Sequence, residues 1–145
     1  MNNNLQFNKS DPRHKAREIA LSALFAYSFN SKLNQNLNYY KEILKIQGED
    51  SSLTKFLYNG VTCNINLLDE IIAYCAPEWP LDQVSKLDLS CLRLAVFELT
   101  IANNAPPKVV INEAVELAKS YANDSSGKFV NGVLATVLDK YTIKK

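Results

Sequence analysis

The sequence predicts an all-α protein of six or seven helices packed as two small helical bundles. Three observations predict it. Helix breakers are few, with four glycines and five prolines in 145 residues. Apolar residues recur at spacings of three and four over most of the chain, which marks one buried stripe per helix. No segment shows the strict alternation of a convincing strand. Hydrophobic residues make up 47%, enough for a core and too many for a disordered chain. The length suits one domain over 1–145, with subdomains at about 10–76 and 81–141.

The elements follow in order. Met1 to Asn8 is Asn-rich without a long apolar run, so no secretory signal is expected. Asp11-Pro12 reads as a helix start: Asp caps free N–H groups, and Pro suits the first helical position. Ala16, Ile19, Ala20, Ala23 and Tyr27 supply the inner face. Asn30 to Asn38 is a polar loop. Tyr39 to Gln47 forms a second helix, stopped by Gly48. From Ser51–Ser52 onward, Leu53, Phe56, Leu57, Val61, Ile65, Leu68, Ile72 and Cys75 share one face for about six turns. Gly60 inside that run weakens it by about 1 kcal/mol unless close packing requires it. Pro77 and Pro80 end the run, with Trp79 between them as a core plug. Residues 81–86 form a short turn. Asp88 opens a helix with Leu92, Ala95, Val96 and Leu99 inward. After the break at 103–107 comes a helix through Val110, Ile111, Ala114, Val115, Ala118 and Tyr121. Asn123 to Gly127 is a turn, and Val130, Val133, Leu134, Val137, Leu138 and Tyr141 complete the last helix.

Composition narrows the function. The cysteines at 63, 75 and 91 contain no CxxC pair and read as small core residues, neither a disulfide framework nor a zinc site. One histidine, His14, excludes a multi-histidine metal site. There is no P-loop and no dinucleotide fingerprint. The pairs Asp69-Glu70 and Glu113/Glu116 read as exposed helix charges. No catalytic set, metal site or cofactor is expected. No apolar stretch approaches the ~20 residues of a membrane span, so a cytoplasmic protein with reduced thiols is expected.

The net charge of +1 hides an uneven distribution. Residues 1–17 hold four cations and one carboxylate, residues 18–107 six cations and ten carboxylates, and residues 108–145 six lysines and four carboxylates. Basic ends flank an acidic middle, an asymmetry that chance also produces. Arg13 and Arg17 are one helical turn apart and, with His14 and Lys15, form a positive head on the first helix. Its two readings are a solvated helix end and a phosphate contact; cations at a helix N-terminus oppose the helix dipole, which leans toward the second. The segment Lys119 to Phe129 combines Lys119, Tyr121, Ser125, Lys128 and Phe129 around one turn. Single-stranded RNA is bound by such a set, with bases on aromatic faces and phosphates on cations. Alternatively, Tyr121 and Phe129 staple two helices.

These residues also carry a resemblance. Pro106-Pro-Lys-Val-Val-Ile-Asn-Glu-Ala-Val-Glu-Leu-Ala-Lys-Ser-Tyr121 followed by Lys128-Phe-Val-Asn-Gly-Val-Leu134 resembles the C-terminal signature of the NusB family. Leu92-Arg-Leu-Ala-Val-Phe-Glu-Leu99 is similar to the preceding family helix, and Arg13-His-Lys-Ala-Arg-Glu-Ile-Ala-Leu-Ser-Ala-Leu-Phe25 to the Arg-rich first helix. The resemblance spans about 12 to 141. It implies a two-bundle helical fold without enzymatic activity. It implies binding to the boxA element of ribosomal RNA leader transcripts, together with a small-subunit ribosomal protein called NusE in that role. It further implies assembly with RNA polymerase and other Nus factors to suppress termination. By position, Arg13, His14, Lys15, Arg17, Lys119, Tyr121, Ser125, Lys128 and Phe129 would contact RNA. Asp88, with Lys108 near it, would fall in the ribosomal-protein interface. Glu98, Asn112, Glu113 and Asn131 would bridge helix ends by hydrogen bonds. Here the basic head mixes Lys and His with Arg, and Ala122 to Gly127 replaces a Gly-x-Glu-Asp type of turn. The alternative is a protein-interaction module, or a homodimer that hides its RNA face.

Overall fold

The computed structural model describes residues 8–33 and 35–141. Most of the Asn-rich start, residues 1–7, lies outside the described residues. Among the described residues there are seven α-helices and no strand: α1 (Pro12–Phe29), α2 (Leu37–Leu44), α3 (Ser51–Cys63), α4 (Ile65–Cys75), α5 (Lys86–Val96), α6 (Pro107–Tyr121) and α7 (Asp124–Tyr141). A 3-10 turn at Leu81–Gln83 precedes α5, and a π-helical turn at Phe97–Ala102 extends it. No helix of the described residues is long and apolar enough to cross a membrane.

Local chemistry sets the helix starts. The Asp11 carboxylate accepts the Arg13 N–H at 2.9 Å, with Pro12 in the first turn. Asn36 caps α2 through the Asn38 N–H, and Asp50 caps α3 through the Leu53 N–H. Ser85 accepts the Asp88 N–H at 3.1 Å, so α5 begins at Lys86 and Asp88 sits inside its first turn rather than opening it.

The core is one contiguous cluster to which every α-helix contributes. Helix α5 is its centre, packed on α1, α4, α6 and α7. Its inward set Leu92, Ala95, Val96 and Leu99 is buried as the periodicity requires. Gly60 has the packing reason its position demands. A Cβ there would fall 2.0 Å from Cζ of the buried Phe97 ring, so only glycine lets α3 meet the π-helical turn.

Five local expectations are corrected. The six-turn run breaks at Asn64, whose side chain donates to the Gly60 carbonyl at 2.7 Å and whose backbone leaves helical geometry. Phe56 lies off the buried Leu57–Val61 face of α3 and is 47% exposed, tilted against Phe97. Helix α2 stops at Leu44 because Lys45 takes the left-handed conformation (φ 58°), three residues before Gly48. Cys63 is exposed, while Cys75 and Cys91 are buried. Burial, with the nearby Asp88 charge, pushes the Cys91 thiol up to about 12, which leaves it unreactive. Trp79 is no core plug: it is 52% exposed.

Candidate nucleic-acid interface

The four residues of the head at the start of α1 meet different fates. Arg13 faces solvent with 68% of its side chain exposed and pairs with its own cap, Asp11, at 3.0 Å. That pairing holds the Asp11 carboxyl below its ordinary value. Lys15 reaches across to the 45–50 loop and donates to the Gln47 carbonyl at 2.7 Å. His14 and Arg17 point inward, one helical face away.

Arg17 is 4% exposed and forms a two-pronged ion pair with Glu98, Nε to Oε2 at 2.9 Å and Nη2 to Oε1 at 2.8 Å. The π-helical turn carries Glu98 to this position, and Asn104 also donates to Oε1 at 3.1 Å. Burial disfavours the Arg17 cation, but its hydrogen bonds and attraction to Glu98 outweigh this and leave it above its ordinary value. The expected four-residue basic head is therefore corrected: Arg17 is an internal clamp between α1 and the end of α5.

His14 is buried as well. Its Nδ1 meets Glu113 Oε1 of α6 at 2.7 Å, and Nε2 lies 3.6 Å from Glu18 Oε1. The carboxylate can only accept, so Nδ1 carries the proton in this contact. Glu18 in turn accepts from the Tyr121 hydroxyl at 2.5 Å. The Tyr121–Glu18 and His14–Glu113 contacts thus tie α1 to α6 at two points. Glu113 is not the plain surface charge that its spacing suggested. Asp69 is not one either, since Arg93 grips it with bonds of 2.8 and 2.9 Å.

The α6–α7 segment behaves differently. The turn is shorter than expected: α6 ends at Tyr121 and α7 begins at Asp124, because Asn123 accepts the Ser126 N–H at 2.9 Å and starts the new helix. Lys128 and Phe129 are therefore helical residues. Val115, Lys119, Asp124, Gly127, Lys128 and Asn131 line an open cleft of about 290 Å³ between the two helices. Gly127 makes room for the Lys119 stem, since a Cβ there would lie 2.5 Å from Lys119 Cγ. Lys119 sits 3.6 Å from Glu116, a loose exposed pair. Ser125 is exposed in the first turn of α7, and Tyr121 is 43% exposed. Burial, then its bond to Glu18, holds the Tyr121 phenol above its ordinary value. Phe129 is half-buried and packs on the core, so it does staple helices. Its ring also meets the Trp79 indole edge to face, with centroids 6.1 Å apart. Sequence reasoning missed Trp79 and Asn131 as parts of this surface. The prolines flanking Trp79 signalled a turn, where a side chain is as free to face water as the core.

The two residues expected at a partner interface do not lie together. Asp88 is in the first turn of α5, beside Lys86, whose Nζ stands 5.3 Å from the exposed Phe29 ring at the end of α1. Lys108 is exposed in the first turn of α6, near the Arg17–Glu98–Asn104 clamp at the other end of α1. A short link makes α5 and α6 antiparallel neighbours, which separates their first turns. The Asp88 end nonetheless carries an anomaly: the carboxyl oxygen Oδ1 is buried with no hydrogen-bond partner, and Phe25 and Phe29 are exposed beside it on α1 as an edge-to-face pair. Among the described residues no group of three or more His, Cys, Asp and Glu could hold a metal ion.

The model of the NusB family matches residues 14–139. The transcription antitermination protein NusB of Colwellia psychrerythraea is 44% identical over 129 residues, covering 87% of this chain and 91% of the relative. That of Herpetosiphon aurantiacus is 40% identical over 132 residues, covering 88% and 90%. Among solved structures, one chain in a crystal structure of antitermination factors NusB and NusE in complex with dsRNA superposes with a TM-score of 0.80 at 29% identity. It covers 90% of this chain and 98% of its own length.

Proposed function

This chain belongs to the NusB family of transcription antitermination proteins, not to a family of enzymes, and on that premise we propose that it binds boxA-type single-stranded RNA of ribosomal leader transcripts as a heterodimer with the small-subunit ribosomal protein NusE. Bound to the emerging transcript in the cytoplasm, the pair joins RNA polymerase and other Nus factors and suppresses termination. Arg13 and Lys15 on α1, with Lys119, Tyr121, Ser125, Lys128 and Phe129 at the α6–α7 cleft, form the RNA surface. His14 and Arg17 act behind it, as the groups that hold α1 against α6 and α5.

The observation that carries this reading is the cleft between α6 and α7, open to solvent and lined by Lys119 and Lys128. Two lysines and an adjacent exposed tyrosine on a stiff helix pair match what single-stranded RNA requires: cations for phosphates and aromatic faces for bases. The relative solved with NusE and double-stranded RNA supports RNA and NusE as the kinds of partner. Contact with the ribosomal protein is assigned to the Asp88 end, where Phe25 and Phe29 expose an apolar edge-to-face pair on α1. Lys108 reaches that same partner only if it spans the length of the α5–α6 hairpin.

Salt dependence of RNA binding tests the reading. Retention of boxA-type RNA falls steeply with salt, and adding the ribosomal protein tightens it. Arg13→Ala and Lys128→Ala each lower the slope of log affinity against log salt by about one and leave Asp88-end partner binding intact. Retention that stays flat from low to high salt refutes the reading. Gel filtration of the chain alone and with the ribosomal protein tests the heterodimer. A free protein that elutes as a dimer and binds RNA only after that dimer is broken would favour the hidden-face alternative.

A further inference from the structure

Trp79 is the chain's one tryptophan, and 52% of it faces solvent. It sits in the link between α4 and the Leu81–Gln83 turn, two residues after Pro77 and immediately before Pro80. The fixed φ of both prolines stiffens the backbone that presents the indole. The Phe129 ring, half-buried against the core, holds the indole from one side at 6.1 Å with planes 79° apart. An edge-to-face contact occupies at most one indole face. The indole is therefore oriented by the protein and still has apolar surface in water. Its neighbour Phe129 follows Lys128, which with Lys119 lines the α6–α7 cleft.

We propose that Trp79 is a base-stacking platform: its exposed indole takes one unpaired nucleobase of the RNA, while Lys128 and Lys119 hold the phosphates that flank that base. This deepens the RNA-binding reading and rests on it. The half-buried Phe129 then serves mainly to brace the indole, and Trp79 supplies the stacking face. Stacking on an aromatic is tolerant of base identity, because every base has a π face. Trp79 accordingly adds affinity and a requirement for unpaired bases more than it adds sequence choice. Lys119 and Lys128 line the cleft beside Phe129, the residue that braces the indole, and their charge favours RNA over a protein side chain as the occupant.

A single native fluorophore makes the test direct. Indole emission of the full chain, excited at the red edge of its absorption, is followed as unlabelled boxA-type single-stranded RNA is added, with and without the ribosomal protein. Binding is read independently from the anisotropy of end-labelled RNA. A duplex of the same sequence serves as the unstacked comparison. The expected result is quenching by the single strand and little change with the duplex. Trp79→Ala weakens single-strand binding about tenfold, within the range of one lost base stack. Trp79→Phe retains affinity within about threefold, and unchanged helical circular dichroism excludes misfolding as the cause. Normal anisotropy with unchanged emission and an unaffected Trp79→Ala variant overturns the platform and leaves the RNA reading standing. Quenching by the ribosomal protein in the absence of RNA overturns it also, and makes Trp79 a protein contact. No anisotropy change with any RNA overturns both.

Discussion

The start of α1 and the α6–α7 cleft carry the same kind of residues, cations next to carboxylates, yet they spend them in opposite ways. On α1, Arg17 is enclosed with Glu98 and His14 with Glu113, so two of the four residues of the head are spent inside the fold. At the cleft, Lys119 and Lys128 keep their ammonium groups toward solvent. What differs is helix phase, not composition. Positions 14 and 17 lie on the face that α1 presents to α5 and α6, whereas 13 lies on the outer face. Charge density along a sequence therefore overstates the charge available to a ligand whenever the stretch is helical and packed.

The largest effect separates the two regions by stability. Arg17→Ala strands Glu98 as a buried, half-paired carboxylate and lowers stability by about 3–5 kcal/mol, read as an earlier midpoint in urea unfolding. Lys128→Ala changes stability by less than about 0.5 kcal/mol and leaves the midpoint nearly in place. If Arg17→Ala is equally silent, α1 has no internal clamp and the contrast fails. A smaller effect sharpens the cleft. Gly127→Ala pushes the Lys119 stem away from α7; stability stays within about 1 kcal/mol, since better helix propensity offsets the displacement. RNA affinity drops severalfold, as an anisotropy titration of Gly127→Ala beside Lys119→Ala reports.

The smallest effect lies in alkali. The Tyr121 phenol is held above its ordinary value of 10.0 by burial and by Glu18. Below that pH it is neutral in folded and unfolded chains alike, and its contribution is fully present. As pH rises past 10.0 the unfolded chain gives up this proton before the folded chain does, so stability declines toward the folded value. Tyr121→Phe removes that part of the alkaline decline and costs under about 1 kcal/mol at neutral pH, since the hydrogen bond is partly exposed. Thermal midpoints of both forms at neutral pH and above pH 10 make the comparison.

Much of the architecture was legible residue by residue. Asp11-Pro12 announced α1, and the periodicity of 130–138 marked the buried face of α7, because caps and amphipathic stripes depend on neighbours within a turn or two; Pro107, read as part of the break at 103–107, is instead the first residue of α6. The break at Asn64 was not legible, since an apolar face continues through it and a single side-chain bond to the Gly60 carbonyl ends the helix. The candidate site was half legible. Lys119, Tyr121 and Lys128 stand where the sequence grouped them. Trp79 was assigned to the core because its size suits a core, although nothing local holds it there.

By itself, then, the sequence determined the helices, their caps, the apolar stripes and the family pattern, all of which are written in short-range spacing. Only the tertiary structure decided which polar residues serve the inside. Arg17 finds Glu98 81 positions away and His14 finds Glu113 99 positions away. A charged side chain carries no local sign of whether its partner will be water, a phosphate or a carboxylate from a distant helix. That choice depends on which helix faces meet, and the desolvation of the meeting faces turns cations into a clamp on one side and leaves them lining an open cleft on the other.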